Sequence, residues 1–229
     1  MLNEYGVSID GGDITNTGRW AAREYDFCTI VVLPDVGGRF SLIACLPSNR
    51  LVHFYSHGEG IYHIYSSEPR QYWLDSSATQ AGYTNPHQDT DNPVDDHPSA
   101  FYNAKGRLGL FFVREGSVYY QYSDNMGGTW SEEAAVLAGY DVGFVWRDPF
   151  DASPRLHFVG ITSAGVVNYS SSFDEAATWE TAVQITTGAT VVQPSGFNNV
   201  NNRVCVVFHK DDEEVMWYSD DGQTFTEAT

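Results

Sequence analysis

Residues 123–130 read Ser-Asp-Asn-Met-Gly-Gly-Thr-Trp, residues 172–179 read Ser-Phe-Asp-Glu-Ala-Ala-Thr-Trp, and residues 218–225 read Tyr-Ser-Asp-Asp-Gly-Gln-Thr-Phe. The shared pattern is Ser-x-Asp-x-Gly-x-Thr followed by an aromatic ring. Its physics is that of a pinned turn. A short Asp or Asn side chain accepts backbone N–H groups inside the loop, and glycine supplies positive φ. The terminal ring folds back and covers apolar surface. A degraded copy, Ser-Ser-Glu-Pro-Arg-Gln-Tyr-Trp, occupies residues 66–73, and Ser8-Ile9-Asp10-Gly11-Gly12 offers a box-like turn near the start.

Working outward, each copy follows a Tyr-Ser or equivalent pair: Tyr65-Ser66, Tyr122-Ser123, Tyr169-Ser170 and Tyr218-Ser219. Each pair is preceded by an Arg-aliphatic pair: Arg50-Leu51, Arg107-Leu108, Arg155-Leu156 and Arg203-Val204. The Arg-to-Tyr offsets are 15, 15, 14 and 15 residues, and successive arginines lie 57, 48 and 48 residues apart. Internal periods of this length are the signature of repeat architectures. The runs between the markers, such as Leu108–Val113 and Val204–Phe208, are apolar, β-branched or aromatic and of strand length, while Ser117–Ser123 alternates at period two. Turn signals at Arg114-Glu115-Gly116, Ser163-Ala164-Gly165 and Lys210-Asp211-Asp212 separate them. No stretch carries an apolar stripe at helical period, so the chain reads as all-β.

The octamers resemble the Asp-box, or BNR, repeats of sialidase-like β-propellers. That resemblance implies four-stranded blades, with each box joining the third and fourth strands, and it assigns box residues to the scaffold rather than to chemistry. Departures are Asn125 for Asp, Ala176 for Gly, a last box one residue short, and Pro69-Arg70 in the first. At about 48 residues per unit, the 229 residues make roughly 4.8 units. A single propeller domain is expected, with units at 39–90, 95–140, 142–189 and 190–229. Residues 1–38 then form a partial blade, giving five blades, the favoured count, or a closing segment, giving four as the alternative. Glu4–Ser8 is expected as a strand, and Trp20–Leu33 as an outer strand. A third expectation is an incomplete ring finished by another subunit, which allows an oligomer, or by further sequence.

The chain holds 12 Lys+Arg against 30 Asp+Glu, a net charge of −18, and only two lysines, Lys105 and Lys210. Such a balance excludes a nucleic-acid-backbone binder and docking on anionic membranes. No run of about 18 apolar residues is present for membrane insertion. Aromatics at 14% and hydrophobics at 42% supply a sizeable core and exclude a disordered chain. Cys28, Cys45 and Cys205 sit in apolar segments without metal or disulfide spacing and read as buried reduced thiols. The acidic N-terminal segment lacks signal-peptide character, so export by the general secretory route is not expected.

Residues recurring in every unit, the four arginines above among them, are scaffold. Polar residues peculiar to one unit at an axis-facing first strand, these strands being expected to begin near Arg39, Asp96, Trp146 and Gln193, are site candidates: Arg39, Asp96, His97, Arg147, Asp148 and Gln193, expected to converge on one ligand pocket. If the chain is an enzyme, Asp96 and Asp148 form its carboxyl pair. Trp146-Arg147-Asp148-Pro149 is similar to the Arg-Asp-Pro segment of five-bladed glycosidases, whereas the Arg-aliphatic-Pro start of sialidases is missing. The cluster around Asp89, Asp91 and Asp95 offers oxygen ligands that suit calcium, without the EF-hand pattern. His53, His57 and His63 are interrupted by a Gly-rich turn and set aside as metal ligands. No cofactor is expected. The reading is a non-enzymatic binding or assembly module, expected on a phage virion as a tail, fibre or capsid decoration and contacting another virion protein or a surface glycan. The alternatives are a glycoside hydrolase and a free lectin-like propeller.

Overall fold

The structure, a computed structural model, describes residues 7–10, 13–16, 41–45, 51–57, 60–65, 87–103, 106–148, 155–199, 201 and 203–228. These residues contain strands, turns and bends and no helix. The chain opens with a hairpin of β1 (Val7–Asp10) and β2 (Asp13–Asn16). Ser8, Ile9 and Asp10, expected in a box-like turn, lie in β1 of this hairpin. Four antiparallel four-stranded sheets follow, each a simple meander. The first holds β3 (Ser41–Cys45), β4 (Leu51–His57), β5 (Gly60–Tyr65) and β6 (His87–Gln88). The second holds β7 (Asp96–Tyr102), β8 (Leu108–Arg114), β9 (Ser117–Ser123) and β10 (Ala134–Ala138). The third holds β11 (Val142–Arg147), β12 (Leu156–Ile161), β13 (Val167–Ser172) and β14 (Val183–Thr186). The fourth holds β15 (Ser195–Asn198), β16 (Val204–Lys210), β17 (Glu213–Ser219) and β18 (Thr226–Glu227). The first strands β3, β7, β11 and β15 touch in succession. Trp20–Leu33 and the degraded octamer at 66–73 lie outside the described residues.

Chemistry explains the strand pattern. β8 and β12 are buried along nearly their whole length, because a second strand has a neighbouring sheet on each face, and they read as continuous apolar runs. The Glu115-Gly116 and Asp211-Asp212 loops have positive φ at both residues, the backbone that two-residue hairpins need.

Three cores lie between successive sheets. Val52, Phe54 and Ile61 meet Leu108, Leu110 and Phe112 at the first seam. Phe101, Phe111 and Tyr120 meet Tyr140, Val145 and Phe158 at the second. Val159, Ile161 and Tyr169 meet Val204, Val206 and Phe208 at the third. At the third seam the Trp146 ring packs against Gly196, where an added Cβ would collide with the indole.

The Ser-x-Asp/Asn loops close each seam. Gly127 N donates to Ser123 Oγ at 2.7 Å, and Thr129 N to Asn125 Oδ1 at 2.8 Å. In the next loop Ala176 N donates to Ser172 Oγ at 3.0 Å, and Thr178 N to Asp174 Oδ1 at 2.8 Å. In the last, Gly222 N reaches Ser219 Oγ at 2.9 Å and Thr224 N reaches Asp221 Oδ1 at 2.8 Å. Asn125 therefore serves as well as Asp: its oxygen accepts as a carboxylate oxygen does, and its Nδ2 donates to Thr129 Oγ1 at 3.1 Å. Ala176 takes glycine's place at φ 73°. The ring that follows each loop packs at the seam: Trp130 edge-on to Phe54, Trp179 edge-on to Phe111 and Phe158, and Phe225 on Tyr169. The recurring arginines pin the same loops, Arg107 through Asp124 and Arg203 through Asp220. Phe173 stands in place of Asp in the third sheet, and Arg155 lies over its ring instead.

Backbone N–H donors hold the Asp221 carboxyl down to about 2, and Thr178 lowers that of Asp174. Folded values below the unfolded ones stabilise the chain above the unfolded carboxyl range, and that stability is lost as pH falls through the folded values. Denaturation midpoints are therefore expected to fall between about pH 4 and pH 2. Asp221→Asn, which keeps the acceptor oxygen, should flatten part of that slope in the same titration.

Candidate functional site

The second seam differs from a closed core. Pairing of β8 with β9 sets Phe111 opposite Tyr120 and Gly109 opposite Tyr122. The loop after β13 brings Trp179 against Phe111 at 6.2 Å between ring centroids. Between the second and third sheets Tyr120, Tyr122 and Trp179 border a cleft of about 480 Å³ with Arg107, Val136 and Glu175. Arg107 lies 3.8 Å above the Tyr122 ring and donates to Asp124 at 2.8 and 3.1 Å. It also reaches across the seam to Glu175 at 3.4 Å, and Asn103 Nδ2 donates to the other Glu175 oxygen at 3.0 Å. A guanidinium so shared is held in place rather than free to swing.

Two donors at the cleft have no acceptor among the described residues: the Tyr120 hydroxyl and the Trp179 indole N–H, both shut off from solvent. Tyr120 is only 9% exposed. Burial pushes its phenol well above the ordinary tyrosine value, so it is a neutral hydroxyl at any physiological pH. Tyr169 is its counterpart in the third sheet, and there the hydroxyl shares a 2.6 Å hydrogen bond with His157 Nδ1. Phe225, the counterpart of Trp179, has no N–H to satisfy.

The residues expected to converge on one pocket fall at two ends of the first strands. Arg147 ends β11, and its Nη1 donates to the Tyr102 carbonyl at the end of β7. Asp148 is buried beside it, accepting from Asn198 Nδ2 at 3.1 Å, while Asn198 Oδ1 accepts from Trp146 Nε1 at 2.7 Å. Asp96 begins β7, six residues from Tyr102, and accepts from Ser56 Oγ at 2.8 Å and from the His97 backbone N–H. Six strand residues span about 20 Å, so the Asp96 and Asp148 carboxyls do not flank one bond. The expectation put Trp146-Arg147 at a strand start; Val142 starts that strand, because Gly143 sits inside it against the Phe158 ring. Gln193 precedes β15, at the Asp96 end. Arg39 lies outside the described residues.

Asp89, Asp91 and Asp95 are not drawn into one oxygen cage. The Asp89 carboxylate accepts from Trp130 Nε1 at 2.7 Å and from His63 Nδ1 at 2.6 Å. Both Asp95 oxygens are gripped by Arg114, and Asp91 is exposed. Among the described residues no group of His, Cys, Asp and Glu is arranged to hold a metal ion. Sequence reasoning passes over Tyr120, Tyr122 and Trp179 because Tyr122 and Trp179 recur and so count as scaffold. The available signal is Val136, standing where a polar residue occupies the first sheet.

No protein-family model and no curated protein matches this sequence. Solved structures do. The BP39L lectin of Burkholderia pseudomallei superposes with a TM-score of 0.60 at 12% identity, over 82% of this chain and 55% of the lectin. A mutant of the NanB sialidase of Streptococcus pneumoniae gives 0.60 at 12% identity, over 89% of this chain and 54% of the sialidase. A mutant of the Aleuria aurantia lectin AAL, in complex with Fucα1-6GlcNAc, gives 0.53 at 13%, over 79% of this chain and 56% of the lectin. The fold is a β-propeller. This chain spans just over half the length of each of these three.

An unbonded buried hydroxyl carries a desolvation cost without compensation, whereas a bonded one contributes. Tyr120→Phe should therefore leave the ligand-free protein unchanged or stabilise it by up to about 1 kcal/mol. Tyr169→Phe, which removes the hydroxyl bonded to His157 Nδ1, should cost about 1–2 kcal/mol in the same urea titration.

Proposed function

We propose that this chain is a non-enzymatic carbohydrate-binding β-propeller module whose ligand enters the cleft at the second seam. The observation that carries the reading is the pair of buried donors without acceptors, Tyr120 Oη and Trp179 Nε1, in an aromatic-walled cleft. Buried polar groups in folded proteins are overwhelmingly bonded, so a pair at a cleft invites a ligand acceptor. Aromatic faces with a few placed polar groups suit the apolar faces and hydroxyls of sugars. The likeness to lectins and to a sialidase supports a carbohydrate ligand.

Binding is favoured over turnover by two features. The carboxyl pair expected of a glycosidase is separated along β7, as described above. A tyrosine nucleophile requires a lowered pKa or an adjacent base, and burial drives Tyr120 the other way. The Ser-x-Asp/Asn loops are read as Asp-box turns and the four sheets as four blades, with β1 and β2 belonging to a fifth. A place on a phage particle, beside other virion proteins, is the wider proposal. The buried Cys205 thiol supports assembly in a reducing compartment, and recovery of the chain in purified particles tests it.

A glycan array probed with the intact chain, followed by incubation of each bound glycan, is the direct test. Binding without sugar release is the expected result, weakened about tenfold or more by Trp179→Phe, which keeps the ring and removes the N–H. Sugar release, or no binding across the array, overturns the reading.

A further inference from the structure

The three seams are built in one register, which permits a comparison inside the molecule. Phe54 pairs with His63 in the first sheet as Phe111 pairs with Tyr120 in the second. Trp130 and Trp179 occupy matching places, with ring centroids 6.1 Å from Phe54 and 6.2 Å from Phe111. His63 and Tyr120 are thus counterparts, and each seam holds a donor pair: His63 with Trp130, Tyr120 with Trp179.

The fourth strands extend the match. His87 pairs with His63 and Gln88 with Tyr62, as Ala134 pairs with Tyr120 and Ala135 with Tyr119. Both strands then bulge, with Asp89 N and Thr90 N sharing the Ile61 carbonyl in the first sheet, and a register shift at Val136 in the second. Asp89 and Val136 are therefore counterparts. In the first seam a carboxylate, 0% exposed, binds both donors. In the second, Val136, a side chain of nearly the same shape with no acceptor, takes that place and packs on the core that holds Tyr120. The third seam needs no such group, because Tyr169 has His157 and Phe225 has no N–H. Among the described seams only the second leaves donors unanswered at these two matched positions; at the third, the Trp217 indole N–H, at a different position, also has no acceptor among the described residues.

Resting on the carbohydrate reading, we infer that the ligand supplies the acceptor that Asp89 supplies at the first seam, and that it is the acetamido carbonyl of an N-acetylated amino sugar. Charge separates this from a sugar carboxylate. Asp124, Asp174 and Glu175 surround the single Arg107, and the chain carries −18 overall, so an anion is repelled. Apolar surface separates it from a bare hydroxyl. Ala134, Ala135, Val136 and Ala176 line the cleft beside the donors, and an acetamido methyl packs on such a wall while its oxygen accepts. Val136 must turn about its one side-chain torsion to admit the group, a modest cost for a half-buried residue.

The experiment titrates the intact chain by NMR with N-acetylglucosamine, glucosamine, glucose and glucuronic acid. The expected order puts N-acetylglucosamine about tenfold or more ahead of the other three, with shifts at the Trp179 indole N–H. Val136→Ala, which removes the cover, should tighten N-acetylglucosamine binding about threefold or more. Val136→Asp, which installs the internal acceptor, should abolish it and move the Trp179 indole resonance towards that of Trp130. A purely structural Val136 would weaken binding in both variants. Equal binding of glucose and N-acetylglucosamine at this cleft overturns the acetamido assignment and leaves the carbohydrate reading standing. Glucuronic acid binding best also overturns it. If all four sugars leave the Trp179 resonance unmoved while the array shows binding, the cleft is not the site and both the assignment and the location fall.

Discussion

Everything in this fold depends on a serine hydroxyl and a carboxyl or amide oxygen closing a loop at the end of a third strand. That closure fixes the direction in which the following Trp or Phe leaves the loop, and the ring is what fills the seam between one sheet and the next. In the first seam Trp130 meets Phe54, in the second Trp179 meets both Phe111 and Phe158, and in the third Phe225 meets Tyr169. Sheets held by such seams have a local, additive stability, since each core is shared by neighbours in sequence. The arginines add charge-assisted bonds at the loop surface, where solvent screening keeps their contribution small. Their recurrence reflects geometry: Arg107 and Arg203 lie against Tyr122 and Tyr218 and face the aspartate that follows the loop serine.

A repeated seam also repeats a difficulty. Each aromatic insertion that carries an N–H or O–H brings a donor into a place without water, and each seam has to answer it. The first uses Asp89, drawn from the end of a short fourth strand. The third uses His157, buried between the Trp146 and Tyr169 rings, and replaces the indole by phenylalanine. The second has neither. A single change from polar to apolar at the Asp89 position is enough to turn a structural contact into an unanswered one, with the surrounding packing left intact.

The sheets are legible from spacing, because Arg-aliphatic, Tyr-Ser and Thr-aromatic markers fall at equal offsets only if each unit has the same strand lengths. The site is legible only in part. Subtracting every recurring residue removes scaffold efficiently, yet here it removes Tyr122 and Trp179 along with it. A repeat residue acquires a second role when its partner is missing, and the partner cannot be named until the strands are in register. The bulges at Asp89 and Val136 shift that register by one, which a linear comparison of Gly-poor, weakly similar fourth strands does not show. Arg147 and Asp96 are misjoined in the sequence for a related reason. Tyr140-Asp141-Val142-Gly143 has the composition of a turn, yet Val142 and Gly143 form strand, because Gly143 makes room for the Phe158 ring.

The proposed binding place at a seam is in keeping with how the polar groups of the axis-facing strands are used. Asp148, Asn198, Trp146 and His157 knit the third and fourth sheets together, and Arg147 is tied to the end of β7, so these polar side chains already serve one another. A ligand that displaced them would have to replace bonds already made in a low-dielectric setting, where breaking one partner is costly. The second seam sets no such requirement: its donors have nothing to give up, and occupying them relieves a cost the folded chain already bears. On the proposed reading this requires no rearrangement of the sheets, only the turning of one valine, because Phe111 already packs against both the Tyr120 and the Trp179 rings.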